Sequence, residues 1–181
     1  MLTLETTIRV AGLRGHDVFD FLLLSCTDEQ YRRWWPGTHL QFHTLRRYPQ
    51  QVGNLVFMDE YIGHRRLRLR AIVVEAVRGE RIVWQFRWGA TLPAWLRLDL
   101  ADDETGVTIR HTVRAGVGGI GRILDPLLRL YASPRFVRDL DAHVRTEFPK
   151  LRDLLADPAP ALVGSATGRA TSAATAGGQG T

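Results

Sequence analysis

The sequence has almost no cysteine and almost no lysine. Among its 181 residues there is one cysteine, Cys26, and one lysine, Lys150, so nearly all of the 24 Lys and Arg side chains are arginine. A single cysteine excludes an intramolecular disulfide framework and a zinc cage built from thiolates. Cys26 has no evident neighbouring base, so we interpret it as a small buried side chain rather than a nucleophile.

Long apolar runs are also missing. None approaches the roughly 20 residues that a membrane-spanning helix needs, and residues 1–10 lack the basic-then-apolar layout of a secretory signal. We therefore expect a cytoplasmic protein without stable membrane insertion. Hydrophobic residues make up 45% of the chain, which suits a packed domain at residues 1–156. Residues 157–181 are rich in Ala, Gly and Thr, have little apolar surface to bury, and are expected to form a disordered tail.

Two hydrophobic periodicities alternate along the chain. Two short helices are expected after the first strand, the second capped by Thr27. The helical period returns after Gly121 and reaches residue 155, and Ser133-Pro134 indicates either a kink at that point or a short helix followed by a long amphipathic one. Within that last stretch Ser133 is an expected N-cap, and Pro149 is expected to bend the helix. The segments with strand-like patterning and turn residues between them are 2–10, 38–48, 54–62, 65–77, 80–88, 94–101 and 106–114.

The order of these elements and three segments carry a resemblance to a known superfamily. The segments are YRRWWPG (Tyr31 to Gly37), VGNLVFMDEYIGHRRLRLRAIVVE (Val52 to Glu75) and FVRDLDAHVRTEFPKLRDLL (Phe136 to Leu155). They resemble the helix-grip fold of the START-like, or SRPBCC, superfamily, which includes polyketide cyclase/dehydrase-type proteins. The resemblance covers about residues 2–156 and implies an α+β fold, in which a seven-stranded curved antiparallel sheet is wrapped around the long C-terminal helix. It also implies a cavity between sheet and helix that binds, carries or transforms apolar molecules.

One predicted strand carries an aromatic row. Trp84, Phe86 and Trp88 alternate along residues 80–88 and therefore share one face. Such a row is either the wall of a ligand cavity or solid core, and the resemblance favours the wall. The further residues expected to line the cavity are Leu98, Ile109, Tyr131, Phe136 and Leu140.

His111 is predicted to point inward, because it alternates with Ile109 and Val113 on the apolar face of the last strand. A buried imidazole needs a partner, a water molecule or a ligand. His111 is therefore either a ligand-binding or proton-transfer residue, or a core histidine that is hydrogen-bonded to a neighbour.

Asp59 and Tyr61 share one face of the strand at residues 54–62. If that face is the inner one, both residues are expected to bind the polar end of a ligand, and Asp59 is a second candidate for proton transfer. In the opposite register Asp59 would pair with a surface arginine instead. That register points the following residues inward: Met58, Glu60 and Ile62.

Two other patterns are interpreted as having no catalytic role. His39, Gln41 and His43 share one strand face, but metal ligation needs three convergent donors and no partners are visibly grouped with them, so we predict no metal and no cofactor. Residues 116–121 read G-x-G-x-x-G, yet a dinucleotide site needs a βαβ unit that the element order does not provide. We interpret this segment as a flexible connection into the last helix.

The sequence therefore predicts a protein that binds a small hydrophobic or aromatic molecule, lipids included, in an internal cavity. The resemblance adds a polyketide cyclase/dehydrase-like activity as an option, with His111 or Asp59 moving protons. Whether the chain catalyses or only binds, and whether it forms a homodimer, stays open. The alternative is a non-enzymatic interaction or regulatory module that uses an arginine-rich outer sheet face around Arg66, Arg68 and Arg70. No nucleic acid is expected, because acids are dispersed among the arginines and no aromatic stacking motif accompanies them.

Overall fold

The computed structural model describes residues 2–88, 90–116 and 133–157, with residues 88 and 90–92 described by their backbone alone. Seven strands within these residues form one antiparallel sheet. This confirms the predicted strands, whose bounds differ from the predicted ones by a few residues. The strands are β1 (Leu2–Ala11), β2 (His39–Arg46), β3 (Leu55–Ile62), β4 (Arg65–Val77), β5 (Arg81–Trp88), β6 (Ala90–Asp102) and β7 (Gly106–Ala115).

The strands lie in the order β1-β7-β6-β5-β4-β3-β2. β1 and β2 follow each other in the chain but lie at opposite edges of the sheet, so the segment between them must cross from one edge to the other. β1 pairs with β7 from Leu2, opposite Ala115, to Ala11, opposite Gly106. A Cβ atom at Gly106 would collide with the carbonyl oxygen of Val10, so this end of the pairing depends on glycine.

Short helices occupy the segment between β1 and β2, and a long helix is the last described element of the chain. α1 (Gly15–Asp20) runs into a π-helical turn (Phe21–Ser25) and is followed by α2 (Asp28–Trp34), and α3 spans Pro134–Ala156. Both predicted N-caps are confirmed. The hydroxyl of Thr27 accepts a hydrogen bond from the backbone N–H of Gln30 at 3.2 Å, and that of Ser133 accepts one from Phe136 at 3.3 Å. α3 continues through Pro149, and the bend expected there stays a prediction.

The long helix α3 packs against β1, β3 and α2. Its buried residues recur every three or four positions, as an amphipathic helix requires. Two of them are polar, which is unusual on a face that covers a hydrophobic core. The buried residues of α3 are Phe136, His143, Val144, Glu147, Phe148 and Leu151.

This architecture is the predicted α+β fold, a curved antiparallel sheet with a long C-terminal helix. The glycine segment at 117–121, the helical pattern at 123–131 and the tail from residue 158 onward lie outside the described residues. Among the helices that the structure describes, none combines the length and the apolar character needed to cross a bilayer.

Candidate functional site

An internal cavity lies between the sheet and α3. Its volume is about 80 Å³, which is room for a few water molecules or a small ligand. Most of its wall is apolar, and it is formed by the inward-facing side chains of the sheet together with α2 and α3. The apolar wall includes Phe42, Val56, Ala71, Trp84, Phe86 and Leu98.

Four buried polar side chains meet where α3 faces β2 and β3. We call His39, Glu60, His143 and Glu147 the His–Glu cluster, and all four are buried. Three of them, together with Tyr31, form a polar part of the cavity wall. The cluster therefore borders the cavity through three of its members, and His39 lies behind them.

The fold brings these side chains together from three elements. The backbone of His39 donates to the carbonyl of Trp35 at 2.9 Å, which ties the start of β2 to the end of α2. His39 lies opposite Glu60 in the pairing of β2 with β3. His143 and Glu147 are one turn apart on α3, so both side chains point toward the sheet.

Ring nitrogens and carboxylate oxygens approach one another closely inside the cluster. His39 Nε2 lies 3.7 Å from Glu60 Oε2 and 3.8 Å from Glu147 Oε2. His143 Nε2 lies 3.8 Å from Glu60 Oε2 and 3.3 Å from Glu147 Oε2. Among the described residues, neither Nε2 atom has a hydrogen-bond partner, and His39 Nδ1 has none either.

Aromatic side chains enclose the cluster and orient its members. The Tyr31 ring stacks on the His39 ring at a centroid distance of 4.1 Å, and the Trp35 ring lies 4.8 Å from that of His143. The Tyr31 hydroxyl donates to Glu60 Oε2 at 2.5 Å. Such packing fixes side-chain orientation and lowers the local dielectric, which strengthens every charge interaction in the cluster.

Burial shifts the ionisation of the cluster. It raises the pKa of Glu60 to about 7 and lowers the pKa of His39 to about 4. Burial also acts to lower the pKa of His143, but the carboxylates of Glu147 and Glu60 more than offset it, so this pKa is raised. The pKa of Glu147 is lowered, because attraction to His143 and the other histidines outweighs its burial. Within the cluster, the Glu147 carboxylate and the His143 imidazole therefore stabilise each other's charged forms.

His111 projects inward from β7, as the alternation predicted, and is 7% exposed. It borders the internal cavity and also an outer groove of about 500 Å³ between β1 and the first turns of α3. Leu140 borders both spaces as well. Burial lowers the pKa of His111 to about 4, so its imidazole is neutral at neutral pH.

The structure brings only some of the other predicted lining residues to the cavity. Trp84, Phe86, Leu98 and Leu140 lie in its wall. Ile109 is fully buried in the hydrophobic core, and Phe136 is buried with the Arg65 guanidinium 5.5 Å from its ring centroid. Neither residue is among the described residues that line the cavity. Two further predictions, the side chain of Trp88 and the whole of Tyr131, lie outside the described residues.

The inward placement of Asp59 and Tyr61 needs correction. β3 has the opposite register, with Met58, Glu60 and Ile62 in the cavity wall. Asp59 lies on the outer face, where both of its carboxylate oxygens accept hydrogen bonds from Arg66 at 2.8 Å. The pairing of β3 with β4 also places Tyr61 opposite Arg66, away from the cavity. Glu60 is thus the acid that the cavity receives from this strand.

The fold groups His39 with side chains from other elements rather than with the neighbours on its own strand face. His39 was considered with His43, but His43 pairs with Asp28 at 2.8 Å, away from the cluster. The partners of His39 come from β3 and α3. A signal for them exists in the sequence, because His143 and Glu147 interrupt the apolar stripe of the last helix at i, i+4 spacing.

On the outer sheet face, arginines are paired with buried or half-buried acids. Asp99 accepts hydrogen bonds from Arg81 at 2.8 Å, from Arg97 at 2.7 Å and from Arg110 at 3.1 Å. Together with the Asp59–Arg66 pair, these contacts neutralise part of the positive charge that the composition suggested.

Comparisons with known proteins address the fold. No protein-family model matches the sequence, and no curated protein matches it. Among solved structures, the chain is similar to TTHA0849 from Thermus thermophilus, with a TM-score of 0.57 and 10% identity over 87% of this chain and 100% of that one. It is also similar to the di-domain ARO/CYC protein BexL from the BE-7585A biosynthetic pathway, with a TM-score of 0.54 and 19% identity over 84% of this chain. The chain therefore has the helix-grip fold that the sequence predicted, shared with these solved structures.

Two of the structurally similar proteins are about twice as long as the matched region. The chain covers 49% of BexL. It covers 47% of DynU16, a protein of the dynemicin biosynthetic locus, with a TM-score of 0.52 and 11% identity over 85% of this chain. At these identities the similarity concerns the helix-grip architecture, and the chemistry must be argued from the site itself.

Proposed function

We propose that this protein binds a small apolar or aromatic molecule in the internal cavity, with an oxygen atom of the ligand near Trp84. The observation that carries the proposal is an apolar cavity wall that contains an unpaired donor. Trp84 lies in that wall, and its buried indole N–H has no hydrogen-bond partner among the described residues. An unpaired buried donor costs about 1–3 kcal/mol, and a ligand carbonyl or hydroxyl oxygen would remove that cost.

The size of the cavity limits the ligand. A volume of about 80 Å³ lies below the roughly 300–1,000 Å³ of sites for drug-sized molecules. A larger ligand would have to extend past His111 and Leu140, which border both the cavity and the outer groove. We therefore infer that no more than one aromatic ring enters the cavity, whose wall must move slightly to admit it, with any longer chain in the groove.

A polyketide cyclase/dehydrase-like reaction is the activity that we propose for the same site. Its support is the fold shared with an ARO/CYC protein, which is an analogy at the level of architecture. Of the two residues considered for proton transfer, His111 borders the cavity, whereas Asp59 is held by Arg66 on the outer face. A neutral imidazole at that position would accept a proton from a ligand carbon or hydroxyl group.

Binding is tested with a panel of one- and two-ring phenols, their deoxygenated counterparts, short fatty acids and aromatic polyketides. Thermal shift and native mass spectrometry of the full chain detect binding, and tryptophan fluorescence reports on it because Trp84 lies in the wall. We expect oxygenated aromatic compounds to raise the Tm and to form one-to-one complexes. If no member of the panel binds, the proposal is wrong.

Trp84→Phe tests the position of the ligand oxygen. The change removes the N–H group and keeps an aromatic ring, so the affinity for phenols should fall about tenfold, in line with one lost hydrogen bond. The affinity for the deoxygenated counterparts should stay within about twofold. Trp95→Phe is the matched control, because Trp95 on β6 lies opposite Gln85 on β5 and does not line the cavity.

His111→Ala should abolish any turnover measured with a polyketide substrate, and an unchanged rate would remove His111 from the mechanism.

A further inference from the structure

We propose that the His–Glu cluster is a binding site for a divalent transition-metal ion such as Zn²⁺. Imidazole nitrogens and carboxylate oxygens are common ligands of such ions, and two of each complete a four-coordinate site. The inference rests on the positions of His39, Glu60, His143 and Glu147 alone. It does not depend on the proposed organic ligand, and it is tested in the absence of one.

The spacing of the donor atoms fits a small ion. Metal–ligand bonds of roughly 2.0–2.2 Å in a tetrahedral site separate neighbouring donor atoms by roughly 3.3–3.6 Å. The four nitrogen–oxygen separations in the cluster range from 3.3 Å between His143 and Glu147 to 3.8 Å between His39 and Glu147. One donor atom from each of His39, Glu60 and His143 lies within 4.8 Å of the other two. Small side-chain rotations would close these donors on one ion.

The ring nitrogens in the cluster are buried without hydrogen bonds. His39 is 0% exposed and His143 is 5% exposed, and within the described residues the Nε2 atom of each has no hydrogen-bond partner. Leaving two such atoms unpaired is costly in a protein interior. A metal ion would accept the lone pairs of both nitrogens at once.

Charge balance favours the same occupant. The buried carboxylates of Glu60 and Glu147 repel each other and are poorly solvated, so both can be ionised only beside positive charge. A divalent cation would displace the proton that these carboxylates favour on His143, neutralise Glu60 and Glu147 together and leave both histidines neutral, as metal ligation requires. The only cysteine, Cys26, lies outside the cluster, so this would be a site of nitrogen and oxygen ligands.

The surroundings resemble the supporting shell of metal sites. The Tyr31 hydroxyl donates to Glu60 Oε2 and so orients that carboxylate. The Trp34 indole N–H donates to the backbone carbonyl of Glu147 at 2.6 Å, which anchors the helix turn that carries this ligand. Outer hydrogen bonds and an apolar shell of this kind set ligand orientation and limit solvent access. Because Glu60, His143 and Glu147 also line the cavity, a bound ion would face its interior.

The test is a metal titration of the full chain without an affinity tag. The protein is treated with chelator, exchanged into metal-free buffer and titrated with Zn²⁺ by calorimetry, and with Co²⁺ by visible absorption, which reports the coordination geometry. We expect one ion per chain, a Co²⁺ spectrum of a four-coordinate site and a higher Tm with Zn²⁺. Absence of stoichiometric binding to the folded wild-type chain would overturn the proposal.

Three variants assign the binding to the cluster. Glu147→Gln and His143→Gln should each weaken Zn²⁺ binding at least tenfold and abolish the Co²⁺ spectrum. Circular dichroism first establishes that each variant is folded, and Glu147→Gln keeps the shape of the side chain should His143→Gln unfold. His43→Gln is the matched control, because His43 lies on β2 like His39 but pairs with Asp28 outside the cluster, and its affinity should match the wild type. Undiminished binding in a folded Glu147→Gln chain would also overturn the proposal.

Discussion

Filling the internal cavity should separate ligand binding from folding stability. Ala71 lies in the cavity wall on β4, between Val56 on β3 and Phe86 on β5. Ala71→Leu adds three carbon atoms to that wall. A cavity of about 80 Å³, at about 24 cal/mol per Å³, corresponds to about 2 kcal/mol of lost packing. Burial of three carbon atoms gives a similar value of about 2 kcal/mol. Imperfect fit costs roughly 1–3 kcal/mol, so we expect the free energy of unfolding to change by no more than about 1 kcal/mol in either direction.

The same substitution should remove binding of the aromatic panel, because the added side chain takes up the space that the ligand needs. Urea unfolding gives the free energy of unfolding, and thermal shift and native mass spectrometry give the binding. Ala101→Leu serves as the control, since Ala101 is exposed on β6 and both quantities should change little. A loss of more than about 2 kcal/mol with ligand binding retained would show that the space at Ala71 is not where the ligand lies.

Three further outcomes follow from other contacts. Asp59→Asn should lower the free energy of unfolding by about 1–3 kcal/mol, because it weakens the pair with Arg66. The ligand affinity measured by fluorescence should stay the same, and a changed affinity would show that Asp59 belongs to the binding site. Hydrogen bonds from Arg97 and other arginines hold the pKa of Asp99 well below its usual range. Its contribution to stability is therefore complete above about pH 4 and is lost as the pH falls toward the lowered value, so Asp99→Asn should reduce the acid dependence of the urea midpoint; an unchanged dependence would contradict this. Burial raises the pKa of Cys26 to about 12, so iodoacetamide should alkylate it orders of magnitude more slowly in the native chain than in urea, and equal rates would refute that view.

The sheet and the long helix were predictable because their patterns are strong. In β4 the apolar residues Leu67, Leu69 and Ala71 alternate with arginines, so only one face can be buried. α3 has an apolar stripe at helical spacing and begins with Ser133-Pro134, a combination that specifies both the type of element and its start. In these elements, local chemistry and burial agree on one structure.

The register of β3 was not predictable in the same way. Apolar side chains occur on both of its faces, with Phe57 and Tyr61 on one and Met58 and Ile62 on the other. The choice between them is made by tertiary contacts, since Glu60 finds Tyr31 inside while Asp59 finds arginines outside. The alternation of side chains along β3 does not identify those partners.

The His–Glu cluster was hidden for a related reason. Its members are single residues on β2 and β3 and a pair on α3, and no short motif unites them. Only His143 and Glu147 share an element, and their polar character on a buried helix face was the detectable sign. Convergence of the four side chains depends on the sheet register and on where α3 docks, and both are properties of the folded chain.

The hydrogen bond from the Trp34 indole to Glu147 joins residues 113 positions apart in the chain. Contacts with so large a sequence separation require a long loop to close and belong to the slow part of folding. The cluster therefore forms only when α3 docks on the sheet, and docking of this helix completes the interior. A bound ion would hold α3 against β2 and β3, so the unfolding rate should be lower in its presence.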